Sequence, residues 1–158
     1  MRGLVWIATL LALAGQAQAL SCMRTDAIST FEDLAAAPEA YFVLHGVLTF
    51  DESGLPPFVQ QDPVSDPAPL QAQFTGKGLT AQGFSKDYTG PVTLQITCAG
   101  PWCGRVQSGQ DAIVFVPADD PALTVTAGPC GGRLFYDPTP ETLAMLTACM
   151  QGGVCSAE

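Results

Sequence analysis

The chain has 158 residues, with 15 acidic and 6 basic side chains, six cysteines, one histidine and a formal charge of −9. That balance excludes sequence-independent nucleic-acid binding, which needs Lys and Arg to displace counterions from phosphates. The length suits one domain, and a charged fraction of 13% is too low for an acidic disordered chain.

Residues 1–19 carry the three parts of a secretory signal. Arg2 is the positive start, Leu4 to Ala14 the apolar stretch, and Ala17-Gln18-Ala19 the small residues of a cleavage site. The stretch has no polar face and no capping residue, so it does not read as a core helix. No second apolar run of roughly 18 residues follows, so no transmembrane segment is expected after cleavage. Cutting 19 residues from 158 leaves 139, and losing Arg2 takes the charge from −9 to −10. Residues 20–158 are then expected to form a single domain in a secreted or periplasmic protein. Lipid attachment at Cys22 is a weaker alternative, because Ala19 stands where a lipid-attachment site has a large aliphatic residue.

Export changes the meaning of the cysteines. In an oxidising compartment the even set Cys22, Cys98, Cys103, Cys130, Cys149 and Cys155 implies a disulfide framework, although six cysteines allow 15 pairings and the sequence does not choose among them. With no Cys-x-x-Cys pair and one histidine, a structural zinc site lacks its ligands, and no metal or cofactor is expected.

Along the mature chain, Ser29-Thr30-Phe31-Glu32 has the pattern of a capping box, with a short helix through Leu34 and Ala35 that Pro38 ends. Tyr41 to Phe50 reads as a buried strand with Phe42, Leu44, Leu48 and Phe50 on one face, and Gly46 permits a bend or close approach. Residues 51–70 hold five prolines and four acids with no basic residue, an extended surface loop. Ala72 and Phe74 alternate with Gln71, Gln73 and Thr75 as a half-buried strand, and Gly76, Gly78 and Gly83 suggest a hairpin or strong bend. Val92, Leu94, Ile96 and Cys98 give the clearest alternation. Cys98 to Gly104 is a turn, and Ala112–Val116 and Leu123–Thr126 are two more strands about the Asp119-Asp120-Pro121 turn. Thr139-Pro140-Glu141 starts a second helix with Leu143, Leu146 and Met150 as its buried stripe and Gly152-Gly153 as its stop. Short strands between terminal helices suit a small closed or partly open barrel.

The run Tyr88-Thr-Gly-Pro-Val-Thr-Leu-Gln-Ile-Thr, then Cys103-Gly104, then Ser108-Gly-Gln-Asp-Ala-Ile-Val-Phe-Val, then Leu123-Thr-Val-Thr with Cys130, resembles the netrin-module family. That family includes the tissue inhibitors of metalloproteinases and bacterial secreted members. The resemblance covers residues 40–150 at most. It implies a mainly β, five-stranded OB-like Greek-key barrel with short N- and C-terminal helices, stapled by disulfides. It also implies a bridge from Cys22 to Cys130 or Cys103, leaving Cys149 and Cys155 to pair near the second helix. Protease inhibition is the function it suggests. However, the inhibitors chelate zinc through an N-terminal cysteine, and here Leu20 and Ser21 precede Cys22 and no Cys-x-Cys start is present.

The catalytic candidates have simpler explanations. His45 must serve any Ser-His or Cys-His mechanism, yet it sits mid-strand as a satisfied or surface histidine would. Trp102-Cys103-Gly104 hints at a thioredoxin site, but Cys98 precedes the Trp and no βαβ pattern surrounds it, so a structural bridge explains it better. The acid pairs Glu32-Asp33, Asp51-Glu52 and Asp119-Asp120 fit helix starts and turns, and the 51–66 loop lacks the ligand order of an EF-hand. The expected function is a non-catalytic, secreted binding module for another protein or envelope component. Its candidate contacts are Phe58 and Val59 in the loop and Trp102 in the turn. A secreted redox protein or enzyme using Cys98, Cys103 or His45 is the alternative class.

Overall fold

The computed structural model describes residue 22 and residues 25–59 and 65–155. The expected signal peptide, residues 1–19, lies outside them.

The first helix, α1 (Ala27–Ala35), begins three residues before the expected start. Asp26 is its cap: its carboxylate accepts from the backbone N–H of Ile28 at 2.8 Å and of Ser29 at 2.9 Å. Ser29 completes the box from the other side, its hydroxyl taking the Asp26 N–H at 3.2 Å. A charged acceptor holds helix N–H groups more strongly than a hydroxyl, so the aspartate upstream takes the cap. Glu32 and Asp33 are consequently exposed well inside the helix and not in its first turn.

Among the described residues nine strands follow: β1 (Tyr41–Phe50), β2 (Leu70–Thr80), β3 (Gly83–Ile96), β4 (Cys98–Ala99), β5 (Trp102–Cys103), β6 (Gln110–Pro117), β7 (Thr124–Gly128), β8 (Gly131–Gly132) and β9 (Leu134–Tyr136). They precede α2 (Pro140–Met150). One sheet has the order β8-β7-β3-β2-β1-β6-β9, and β4 pairs only with β5. β1, β2 and β3 form an antiparallel meander, β7 runs parallel to β3, and β6 lies antiparallel along the other side of β1. β6 also approaches β7, so the sheet curls into a nearly closed barrel. The fold is mainly β, as expected. The sheet has seven strands where five were expected. The two extra ones are short: Gly131 and Gly132 let the chain fold tightly against β7, where a Cβ on Gly132 would lie 2.4 Å from the Thr126 carbonyl oxygen. Leu134–Tyr136 then covers the free edge of β6.

The core has two parts, and they explain why β1 and β6 are apolar almost without alternation. Inside the barrel, Leu44, Leu48, Phe74, Leu94, Ile96, Val114, Val116 and Val125 pack together. Outside it, Val43, Ile113 and Phe115 lie beneath the helices with Ile28 and Leu146. Strands covered on both faces lose their polar side. Phe42 departs from expectation: it sits at the barrel end and is 51% exposed. Where β1 and β2 cross, Gly46 faces Gly76, and a Cβ on Gly76 would stand 2.2 Å from the His45 carbonyl oxygen. The close approach read from Gly46 therefore needs a glycine on both strands.

In α2, Thr139 caps, accepting the Thr142 N–H at 3.2 Å, and Pro140 opens the helix. Gly153 N–H reaches the Ala148 carbonyl and Gly152 N–H the Cys149 carbonyl, the paired bonds of a Schellman stop. Its buried stripe runs through Leu146 and Cys149 with Leu143 partly covered, whereas Met150, expected in it, is 37% exposed. Among the described residues no helix is long and apolar enough to cross a membrane.

The six cysteines form three bridges: Cys22–Cys130, Cys98–Cys103 and Cys149–Cys155. The first spans 108 residues of chain and ties the N-terminal segment to the turn between β7 and β8. The other two span 5 and 6.

Candidate interaction site

One end of the barrel is closed by the β4–β5 hairpin and the long loop between β1 and β2. In the hairpin Cys98 pairs with Cys103 and Ala99 with Trp102, and Gly100 makes the turn at φ 58°. Gly104 lies so close to β7 that a Cβ would stand 2.2 Å from the Ala127 carbonyl oxygen. Cys103 is fully buried and Val106 nearly so, and both belong to the barrel core. The hairpin is thus anchored on its inner side.

The loop clamps its outer side. The Asp66 carboxylate accepts the Cys98 N–H at 2.8 Å, and the Phe58 carbonyl accepts the Cys103 N–H at 3.0 Å. Val59 makes an isolated antiparallel bridge to Trp102. The start of the loop is fixed as well, since Asp51 caps a 3-10 turn (Glu52–Gly54) through the Ser53 N–H and Glu52 accepts the Ser108 N–H at 2.7 Å. The hydrogen bonds to Ser53 hold the Asp51 carboxyl below its ordinary range. Of the described acids, Asp51 thus serves the loop's own backbone, while Glu52 and Asp66 tie the loop to Ser108 and Cys98.

These clamps bring the three residues picked from the sequence together. The Phe58 and Trp102 rings lie 5.8 Å apart at 54°, and Val59 is bridged to the same tryptophan. Phe58 is 39% and Val59 50% exposed, and Trp102 is half-buried. Trp102 is therefore partly packed and partly open to a partner. Sequence reasoning missed Arg105, whose guanidinium carbon sits 4.9 Å over the Phe58 ring. A cleft of about 150 Å³ runs beside it, lined by Leu55, Pro56, Phe58 and Val106, large enough for one side chain. It also missed Asp66, which carries no signal beyond its place in a proline-rich stretch. The patch is thus an aromatic and aliphatic surface with one cation at its rim, held on a disulfide-closed hairpin. That combination can bind but holds no acid–base pair.

The remaining candidates lie elsewhere. His45 Nε2 is 3.0 Å from Asp111 Oδ2, and its ring meets Phe84 edge-on at 5.4 Å. This pair joins β1 to β6 on the outer face of the barrel. The sulfur of Cys103 is enclosed in the core, which leaves Cys98 as the more accessible half of that bridge. Asp120 accepts the N–H groups of Ala122 and Thr124, both at 2.9 Å, and its carboxyl is held low mainly by Thr124. The Asp119-Asp120 pair is a turn device, as read from the sequence. No family model, curated protein or solved structure matches the chain.

Proposed function

We infer that the protein is an exported, non-catalytic binding module that holds another protein or envelope component through the Phe58–Val59–Trp102–Arg105 surface. The observation that carries this reading is the meeting of exposed apolar side chains from two separate segments on a clamped hairpin. Leaving Phe58 and Val59 uncovered costs hydrophobic stabilisation of about 1 kcal/mol or more each, and a partner that covers them recovers it. Aromatic and Arg side chains in one preorganised patch are the usual composition of a hot spot. Three disulfides and the absence of a membrane-crossing helix among the described residues fit an extracellular or periplasmic location.

The strand pairing supports an OB-like reading of the barrel. The meander β1–β2–β3, the parallel β3–β7 pair and the antiparallel β1–β6 pair are the connections of a five-stranded Greek-key barrel, to which β8 and β9 are added. The Cys22–Cys130 bridge is one of the two pairings the netrin-module resemblance implies, and it favours that kinship. Nucleic acid is not the ligand of this barrel. Of the four described basic residues Lys77 is engaged by Asp87, Arg105 and Arg133 lie over the aromatic rings of Phe58 and Tyr41, and Lys86 alone does not make the cationic track that such binding uses.

A photo-crosslinking amino acid at position 59 tests the reading in the protein's own compartment. A discrete adduct at position 59 that is absent when the probe stands at the 80% exposed Val154 is expected. Identical adducts at both positions, or none at either, overturn it. A thiol titration tests the redox alternative: a rapidly reduced Cys98–Cys103 bridge with turnover of a model disulfide favours that class instead.

A further inference from the structure

The barrel end opposite the hairpin is open. Here β1 begins, β2 turns into β3, and Leu123 lies before β7. The β2–β3 register shifts between Gly78 and Leu79, and pairing resumes with Leu79 opposite Phe84. At this end lies a cavity of about 400 Å³ lined by Phe42, Leu44, Leu79, Tyr88, Leu123 and Met150. It includes Phe42 and Met150, two of the most exposed large apolar side chains of the described residues. Past Met150, Tyr41 and Val43 it adjoins a second apolar cleft of about 360 Å³ under α1, reaching Phe31 and Leu34. The two spaces share Tyr41, Val43 and Met150 in their linings, so together they reach from Lys86 to Phe31.

Its polar groups are few and unevenly placed. Tyr88 spends its hydroxyl on the Pro91 carbonyl at 2.9 Å, and Asp87 is held by Lys77 at 3.0 Å. Lys86 is the cation that lines the first cavity, with its Cβ 3.7 Å from where a Gly78 Cβ would stand. Glu39 lies in the lining of the second cleft. An anionic group is thus favoured at the Lys86 end and disfavoured at the other. The chain's overall negative charge acts weakly there, because exposed charges more than about 8 Å away are screened at physiological salt.

We propose that this open barrel end binds one elongated amphiphile, a medium- or long-chain carboxylate whose head meets Lys86 and whose tail lies over Leu44, Leu79 and Met150. The size lies within the range of small-ligand pockets, which are mostly apolar with a few convergent polar groups. The site is separate from the Trp102 surface and does not depend on it.

Calorimetric titration of the purified exported protein with octanoate, decanoate and dodecanoate below their micelle concentrations tests the proposal, with dodecanol as the uncharged control. Saturable one-to-one binding is expected, tightening about fourfold per added methylene. Lys86→Met should weaken dodecanoate about fivefold and leave dodecanol unchanged. Gly78→Val provides a blocked site, since a Cβ there meets Leu44 at an ordinary 3.5 Å and the added methyls enter the cavity. Loss of binding in that variant, with an unchanged unfolding temperature, supports the assignment, and Trp102→Ala should bind as wild type. Non-saturable uptake, no chain-length dependence, equal effects of Lys86→Met on acid and alcohol, or full binding by Gly78→Val each overturn it.

Discussion

Removing the bridges one at a time, each as a double Cys→Ala variant, should separate stability from function. In the chain-entropy picture a cross-link stabilises by restricting the unfolded chain, and the effect grows with the logarithm of the loop it closes. For the 108-residue separation of Cys22–Cys130 this gives about 4.8 kcal/mol. For Cys98–Cys103 and Cys149–Cys155, with separations of 5 and 6, it gives about 2 kcal/mol each. Cys103 is fully buried, so losing its Sγ adds about 1 kcal/mol of cavity cost. Even then the long bridge leads. Against a typical total of about 5–15 kcal/mol, its loss should lower the unfolding temperature by roughly 15 °C, and loss of Cys149–Cys155 by roughly 7 °C. Thermal unfolding followed by circular dichroism measures both. Binding should rank the other way, because only Cys98–Cys103 closes the hairpin that carries Trp102. Equal temperature shifts for all three, or the smallest for the long bridge, would refute the loop-entropy reasoning and point to native-state enthalpy.

Other consequences of the structure are open to simpler tests. Gly76→Ala places a Cβ against backbone atoms of β1 that cannot swing aside. It should cost about 3 kcal/mol by chemical denaturation, and a loss below 1 kcal/mol would show that the strands can part cheaply. Asp26→Ala removes the α1 cap and should cost about 1 kcal/mol, with Ser29→Ala milder. The Asp120 carboxyl is held below its ordinary range by Thr124 and Ala122. Its stabilisation is therefore present above about pH 4 and is lost as pH falls through the lowered value. Asp120→Asn should flatten that part of the acid limb, and unchanged limbs in both proteins would remove Asp120 from the account.

Much of the barrel was legible because its signals are local. The alternation of Val92, Leu94 and Ile96, the run from Tyr41 to Phe50 and the Thr139-Pro140 start each depend on neighbours in sequence, and each lies where expected. The errors share a cause. Phe42 and Met150 obey the period of their elements yet lie at the end of the barrel, where no partner element covers them. β8 and β9 are too short to carry a period and exist because edges of β7 and β6 await them. The α1 cap went to Asp26 because a carboxylate outcompetes the hydroxyl three residues on. For the site, composition pointed to Phe58, Val59 and Trp102, while the clamps that unite them, Asp66 to Cys98 and Phe58 to Cys103, join positions tens of residues apart. Arg105 gave no sign of stacking, since its partner ring arrives from that distant loop.

Side-by-side capture with wild type, Trp102→Ala and a Val154→Asp control tests whether the Phe58–Val59–Trp102–Arg105 surface is the binding face. A component recovered with wild type and Val154→Asp should bind Trp102→Ala about thirtyfold more weakly, as expected for a hot-spot residue. Equal affinity of the three proteins for every recovered component, with Trp102→Ala shown to be folded, would contradict the claim.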